Sequence, residues 1–289
     1  MVLGAPGLGV LSAADRLAVW GDPIAHSRSP RLHAAAYAVL GLDWSYERRR
    51  VDAGGFPGAL ASLDGTWRGL SLTYPLKSAA FAASVEHDRR AALTRAVNTL
   101  LLTPGGPRGF NTDVGGIVRM LRDEAIDRPD RARIIGAGAT ATSALVALSE
   151  LGTRHVEVVL RRPEAGLPLI ALGDELGLAV ETVPIPTDTT PQMVPLTIAT
   201  LPGEASLADA AADRLADAGG VLVDVVYGTW PTPLADAWAR HGAIAHSGLG
   251  MLLHQAVLQV RIFVAGDVAS PLPDEDLVVA AMRRAVVGD

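Results

Sequence analysis

Lys77 is the only lysine in a chain that carries 24 arginines, and it lies in the stretch SLTYPLKSAA. A guanidinium stays protonated at any workable pH, so it holds anions without trading protons. An ammonium can be tuned by burial and neighbours until it donates and accepts a proton near neutrality. The plain reading is a surface lysine left by compositional drift; the sharper one is a residue kept for its exchangeable proton. Other polar residues stand in short clusters that need a purpose. Ser27 and Ser29 share the loop GDPIAHSRSPRLH, and Asn98 falls inside the apolar AVNTL, read as a strand. Asn111 and Asp113 lie in GFNTDVGG, and Gln255 follows Met251 by one helical turn in GLGMLLHQA.

These residues need elements to hold them. The first half reads as strand RLAVWG (Arg16–Gly21), helix RLHAAAYAVLGL closed by Gly41, strand WSYERRRV, helix GFPGALASL and strand WRGLSLTY, broken by Pro75. The order β-α-β-α-β implies a parallel sheet with crossover helices. TPGGPRG reads as a short exposed segment before FNTD, and Asp113 stands where the N-cap of helix DVGGIVRMLRDEAI belongs. After the break DRPDR, a strand, a glycine turn and a helix follow in RARIIGAGATATSALVALSELG, then strands HVEVVLRRP, LTIATLP and VLVDVVYG. Two tail helices close the chain. The expected fold is α/β with two domains: a substrate-binding and catalytic unit with a mostly parallel sheet over 1–113, and a Rossmann-type dinucleotide-binding unit over 114–246. The helices of 247–289 are expected to pack back on the first unit.

At 289 residues the chain has room for two cores. A net charge of −6 argues against a general nucleic-acid binder. The absence of cysteine excludes disulfides and thiolate metal sites and fits a reducing cytoplasm. No metal ligand set is read from the sequence. The start, MVLGAPGLGVLSAADRLAVWG, has no basic stretch before its apolar residues and does not read as a signal peptide. The apolar run GGVLVDVVYG is too short to span a bilayer, so no membrane partner is expected.

Gly136, Ala137, Gly138, Ala139, Thr140 and Ala141 fit G-x-G-x-x-A after a strand and at the opening of a helix. Such a turn brings a pyrophosphate onto free N–H groups at the helix N-terminus. An NAD site places an acid at the end of the next strand. Here the strand ends in Arg161 and Arg162, which suit the 2′-phosphate of NADP, although a solvated charge pair is the alternative. Glu157 lies too far back along the strand to serve the ribose.

Taken together, these motifs resemble the shikimate dehydrogenase family. G-x-P-I-x-H-S-x-S-P matches Gly21 to Pro30, and N-V-T-x-P-x-K is represented by Ser71 to Lys77. A-V-N-T and N-T-D match at Ala96–Thr99 and Asn111–Asp113. D-x-x-Y…T-P and G-L-G-M-L-x-x-Q match at Asp224, Tyr227, Thr232-Pro233 and Gly248–Gln255. The matches run in family order over almost the whole chain after residue 16.

The resemblance implies an enzyme that reversibly reduces 3-dehydroshikimate to shikimate with NADPH, in the cytoplasm, as a monomer or homodimer. By motif, Ser27 and Ser29 bind the substrate carboxylate. Thr73, Asn98, Asp113 and Gln255 hold ring hydroxyls with Tyr227 close by, and Lys77 with Asp113 is the catalytic pair. Gly136–Ala141, Arg161, Arg162, Val225 and Gly248 line the NADP(H). The bare chemistry agrees: reducing a ketone needs a hydride on carbon and a proton on oxygen, and Lys77 is the natural proton carrier. His26 and His33 flank the serine loop and read as packing or bracing residues. Four departures stand out: Ser71-Leu72 for Asn-Val, Ala34 for Asn, Ala139 for the family's second glycine, and Leu160-Arg161-Arg162 for Asn-Arg-Thr. Three other readings stay open. A quinate or dual quinate/shikimate dehydrogenase using NAD is disfavoured by the two arginines. A catalytically silent metabolite binder is disfavoured by the presence of both Lys77 and Asp113. A folate dehydrogenase leaves the serine loop unexplained.

Overall fold

A computed structural model describes residues 15–188, 191–202, 205 and 207–287; residues 1–14, which the sequence reading assigns to the first unit, lie outside the described residues. Strand β1 (Arg16–Gly21), helix α1 (Ser29–Leu40), β2 (Ser45–Arg50), α2 (Phe56–Ala61) and β3 (Trp67–Leu72) form the expected βαβαβ run, with β2 and β3 parallel to β1. Next come α3 (Lys77–Ala83), the short β4 (Glu86–His87), α4 (Arg89–Thr94), β5 (Thr99–Thr103) and β6 (Gly106–Phe110). The first sheet has the order β2-β1-β3-β5-β6-β4, and β5 runs antiparallel to both β3 and β6.

Alternation along the strands decides which face each side chain joins. Leu70 and Leu72 of β3 face a core made with Trp20, Phe56, Leu76 and Ala80. The other face is covered by α1 and by the last two helices, α10 (Leu249–Ala265) and α11 (Glu275–Val287). There Gly69 lies so close to Phe263 that a Cβ would sit 2.5 Å from its ring.

Helix α5 (Asp113–Asp123) leads to a second sheet built from β7 (Arg131–Ile135), β8 (His155–Leu160), β9 (Ala179–Pro184), β10 (Leu196–Ala199), β11 (Val221–Asp224) and β12 (Ala245–Ser247). All its pairs are parallel, in the order β12-β11-β10-β7-β8-β9. The strand order reverses between β7 and β10, the position where open α/β sheets take their ligands. Helices α5, α6 (Ala139–Glu150) and α7 (Leu167–Leu176) cover one face, and α8 (Asp209–Asp217) and α9 (Pro233–Arg240) the other.

The structure corrects three local expectations. TPGGPRG is not a bare connector, because Gly106–Phe110 pairs with β5 as a hairpin; its glycines and proline carry no apolar alternation to announce a strand. Asn98 lies just before β5, at a bend whose N–H still reaches Phe110 O (3.0 Å) and whose carbonyl accepts from Leu72 N (2.8 Å). Asp113 is the first helical residue of α5 and not its cap. The side-chain oxygen of Asn111 accepts from Val114 N (3.2 Å), which frees the Asp113 carboxylate for other partners.

His33, on α1, is fully buried and stacks on Tyr46 with ring centroids 3.9 Å apart, so it is a packing residue as expected. His26 is exposed. Burial pushes the His33 imidazole down to about 3, against a weaker opposing effect of its hydrogen bond to Gln259. A base whose folded pKa is depressed contributes stability that is complete above its unfolded value of 6.5 and is lost as pH falls toward 3. Between pH 7 and pH 5 this group is expected to cost about 2 kcal/mol. Denaturant unfolding at the two pH values, for the natural protein and for His33→Gln, checks it: the variant's pH dependence should be flatter by about that amount. An equal pH dependence in both proteins overturns the assignment.

Candidate active site

Two helix starts bring the central pair together. β3 ends at Leu72, the chain turns through Thr73 and the cis Tyr74–Pro75 bond, and α3 opens on Lys77. β6 ends at Phe110, and α5 opens on Asp113. Lys77 Nζ donates to Asp113 Oδ2 at 2.6 Å, with the two side chains only 14% and 8% exposed. The other carboxylate oxygen, Oδ1, accepts from Asn98 Nδ2 at 2.8 Å. The orientation of the Asn98 amide follows from its partners. Its Oδ1 faces Thr112 N (2.9 Å), which can only donate, so its nitrogen must face Asp113. The first turn of α5 adds a favourable field for the carboxylate. The start of α3 is tied to the Asn98 segment by Val97 N to Lys77 O at 3.0 Å.

The serine loop follows β1. Ser27 and Ser29 are both buried, and Ser29 N donates to Ser27 Oγ at 3.3 Å. Arg48 Nε grips the loop through Ser27 O at 2.8 Å. Thr73 is fixed from the same side: its N–H reaches Trp20 O (3.0 Å), and Asp22 N reaches Tyr74 O (3.0 Å). Gly21 permits this approach, since a Cβ there would lie 2.4 Å from Thr73 Cγ2.

Two further residues arrive from the second half of the chain. Tyr227 follows β11 and packs against the apolar cluster beneath the first sheet. Burial pushes its phenol up, Arg28 opposes that, and Asp113 adds to it. Asp224 and Thr232 hold the turn that carries Tyr227: Asp224 accepts from Val226 N (3.1 Å) and from Thr232 Oγ1 (2.7 Å). Gln255 is buried on α10 beside Gly116 of α5, and its Nε2 donates to Leu252 O (2.9 Å) within its own helix.

The nucleotide-binding candidates occupy the C-terminal ends of the second sheet's strands. Gly136 has φ +115°, and a Cβ on it would lie 2.6 Å from Thr200 Oγ1. Gly138 precedes the first residue of α6, with open space where a Cβ would stand. Ala139 and Thr140 form the first turn and Ala141 is buried under it. A left-handed glycine, a bare glycine and a helix N-terminus in this order fit a pyrophosphate. Arg161 and Arg162 are exposed beyond β8 and make no ion pair among the described residues. Glu157 is buried and ion-paired to Arg133 of β7, which keeps it out of this site. Gly248 lies against Val225, with its N–H on Val226 O at 3.0 Å.

Lys77, Asp113 and Asn98 are thus joined by hydrogen bonds, with Tyr227 in their electrostatic neighbourhood. The glycine turn and the two arginines form a separate cluster. Several supporting residues escaped the sequence reading. Thr112 and Thr99 bond the Asn98 amide. Their only signal was membership of the short A-V-N-T and N-T-D matches. Gln259 had a fainter one, a second amide in an apolar helix one turn after Gln255.

Comparison with known proteins gives the family. Residues 19–100 match the family model described as the shikimate dehydrogenase substrate binding domain. The shikimate dehydrogenase (NADP(+)) of Methylobacterium radiotolerans is 39% identical over 255 residues, which are 85% of this chain and 89% of the relative. That of one strain of Thermus thermophilus is 36% identical over 94% of this chain and 98% of its own. Among solved structures, Mycobacterium tuberculosis shikimate dehydrogenase superposes with a TM-score of 0.83 at 37% identity, covering 95% of this chain and all of that one. The enzyme of another Thermus thermophilus strain, solved in complex with NADP(H) and shikimate, gives 0.76 at 33% identity over 93% and 99% of the two chains. The fold is that of two α/β units built on mostly parallel sheets. The chain belongs to the shikimate dehydrogenase family.

The two glycines beside the nucleotide candidates separate steric need from open space. A Cβ on Gly248 would stand 2.1 Å from Val225 O, so Gly248→Ala is expected to cost about 1–3 kcal/mol. Gly138→Ala meets nothing within 4 Å and should stay within about 0.5 kcal/mol of the natural protein. Thermal melts of both variants check this, and equal losses contradict it.

Proposed function

We propose that this chain is an NADP-dependent shikimate dehydrogenase, an oxidoreductase that interconverts 3-dehydroshikimate and shikimate on the route to chorismate and the aromatic amino acids. The observation that carries the reading is the Lys77–Asp113 contact at 2.6 Å, with Asn98 holding the second carboxylate oxygen, in a chain of this family. In functional terms residues 1–113 form the substrate unit, 114–246 the nucleotide unit, and 247–289 the return to the first. The enzyme works in the cytoplasm on a small molecule, as a monomer or homodimer, without nucleic-acid or membrane partners. The cysteine-free composition supports the reducing compartment. Among the described residues no helix is long and apolar enough to cross a membrane.

Ser27 and Ser29 donate hydroxyl protons to the substrate carboxylate. Thr73, Asn98, Asp113 and Gln255 hold the ring oxygens with Tyr227 alongside. NADPH, when bound, supplies the hydride. Lys77 Nζ delivers the proton to the carbonyl oxygen as it becomes an alcohol, and takes it back in the oxidative direction. Asp113 keeps the ammonium aimed and stabilises its charged form, so the proton moves only as the oxygen gains charge. Gly136 to Ala141 hold the pyrophosphate at the start of α6. Arg161 and Arg162 would read the 2′-phosphate, and Val225 and Gly248 would line the cofactor.

A spectrophotometric assay crossing shikimate and quinate with NADP and NAD tests the whole reading; a preference for quinate with NAD overturns it. Two variants test its parts. Lys77→Arg keeps the charge and removes the exchangeable proton, so shikimate binding should stay within roughly tenfold while kcat falls by roughly 10²–10⁴. A kcat within about fivefold of the natural enzyme contradicts the proton role. Arg161→Ala should raise KM for NADP by the equivalent of about 1.5–3 kcal/mol and spare NAD. Equal effects on both cofactors would remove Arg161 from 2′-phosphate recognition.

A further inference from the structure

Gln259 sits on α10, one helical turn beyond Gln255, and is 2% exposed. Its amide meets three other elements of the first unit. Nε2 donates to the Asn98 carbonyl (3.3 Å) and to Thr99 Oγ1 (3.1 Å). Oε1 accepts from Ser71 Oγ (2.8 Å) and lies 3.2 Å from His33 Nε2. Ser71 of β3 and Thr99 of β5 are directly opposed in the sheet, so one amide spans the pair.

The direction of every proton in this cluster is determined by the groups that cannot switch. The Asn98 carbonyl can only accept, which assigns the Gln259 nitrogen to that side and its oxygen to the Ser71 side. His33 must then carry its proton on Nε2, while Nδ1 accepts from Tyr37 Oη at 3.0 Å. Burial keeps that ring neutral, with its pKa lowered to about 3. Thr99 Oγ1 receives a hydrogen from Gln259, so its own hydrogen goes to Asn98 Oδ1 (3.0 Å). With Asn98 Oδ1 supplied by Thr99 and by Thr112 N, Asn98 Nδ2 faces Asp113 Oδ1. Asp113 Oδ2 is left for Lys77.

We propose that Gln259 is a positioning residue for the proton-transfer pair: by turning the Thr99 hydroxyl onto Asn98 Oδ1 it joins Thr112 N in holding the Asn98 amide in the direction that serves Asp113 and Lys77. Its amide is taken up by protein partners and the side chain is buried. It also explains why Ser71 is tolerated where the family pattern has asparagine: the Ser71 hydroxyl is one of the two donors that keep the Gln259 oxygen turned away from Thr99. The inference rests on the reading of Lys77 as the proton carrier.

The test compares Gln259→Met, Thr99→Val and the double variant with the natural enzyme, by steady-state kinetics across pH. Each single change should lower kcat roughly tenfold and leave KM for NADP within about twofold. Both should shift, in the same direction, the pH limb that Lys77→Arg abolishes. The double variant should fall no more than about threefold below the worse single one, because both cut the same chain. Variants that melt earlier but keep kcat and the pH limb of the natural enzyme would reduce Gln259 to a packing role and overturn the proposal. Fully multiplicative losses in the double variant would overturn it too. Should Gln259→Met fail to fold, Thr99→Val alone decides, since an unmoved limb there breaks the chain at its middle link. A natural enzyme that does not oxidise shikimate at all would instead sink the Lys77 reading beneath it.

Discussion

An ammonium and a carboxylate held almost out of water impose the strongest constraint on this molecule. Each ion costs several kcal/mol to desolvate, and mutual attraction offsets that only when the remaining lone pairs and protons are also satisfied. Asp113 therefore needs Asn98 on its second oxygen, and Asn98 needs Thr99 and Thr112 on its own. Those partners come from the bend before β5, the first residue of β5 and the residue that precedes α5. The antiparallel β5–β6 hairpin, inserted in an otherwise parallel plan, is what places the last two side by side.

The second constraint is the meeting of the two sheets. Helices α5 and α10 run against each other where glycine removes the obstacle. A Cβ on Gly116 would sit 2.9 Å from Met251 O, and one on Gly250 would sit 2.8 Å from the Met120 side chain. Around this seam, Arg90 of α4 forms a two-point contact with Glu150 of α6, and Asn111 reaches Ser143 of the same helix. The turn after β11 then delivers Tyr227 toward the first sheet. The helix that carries Asp113 and the turn that carries Tyr227 thereby meet at one packed seam.

Much of this was legible in the residues. The lone lysine, the paired serines, the glycine turn and the arginines beyond β8 each have a local chemical reason, and local reasons show in a linear chain. Strands β1, β3, β7, β8, β10 and β11 announced themselves through apolar runs between glycine and proline breaks, whereas β9 and β12, at the two edges of the second sheet, carry no such run and were not read as strands. Other features hid because their causes are distant. β6 is a strand by pairing with β5 and not by pattern. Asp113 looked like a cap because Asn111, two residues earlier, does the capping. Gln259 bonds residues far away in sequence, and no spacing rule connects position 259 to positions 33, 71 and 99.

The last two helices supply, with α1, one side of the first core: Leu253, Val257, Val260, Phe263, Val278 and Met282 pack with Leu17, Leu32 and Leu101. A ribosome makes residues in order, at roughly 5–20 per second. The opening sheet thus leaves the exit tunnel on the order of ten seconds before the helices that cover its second face. During that interval the intervening nucleotide unit, whose strands and helices are contiguous in the chain, can close on itself while the earlier-made sheet still waits with an apolar face in water. The part of the protein synthesised first is the part completed last.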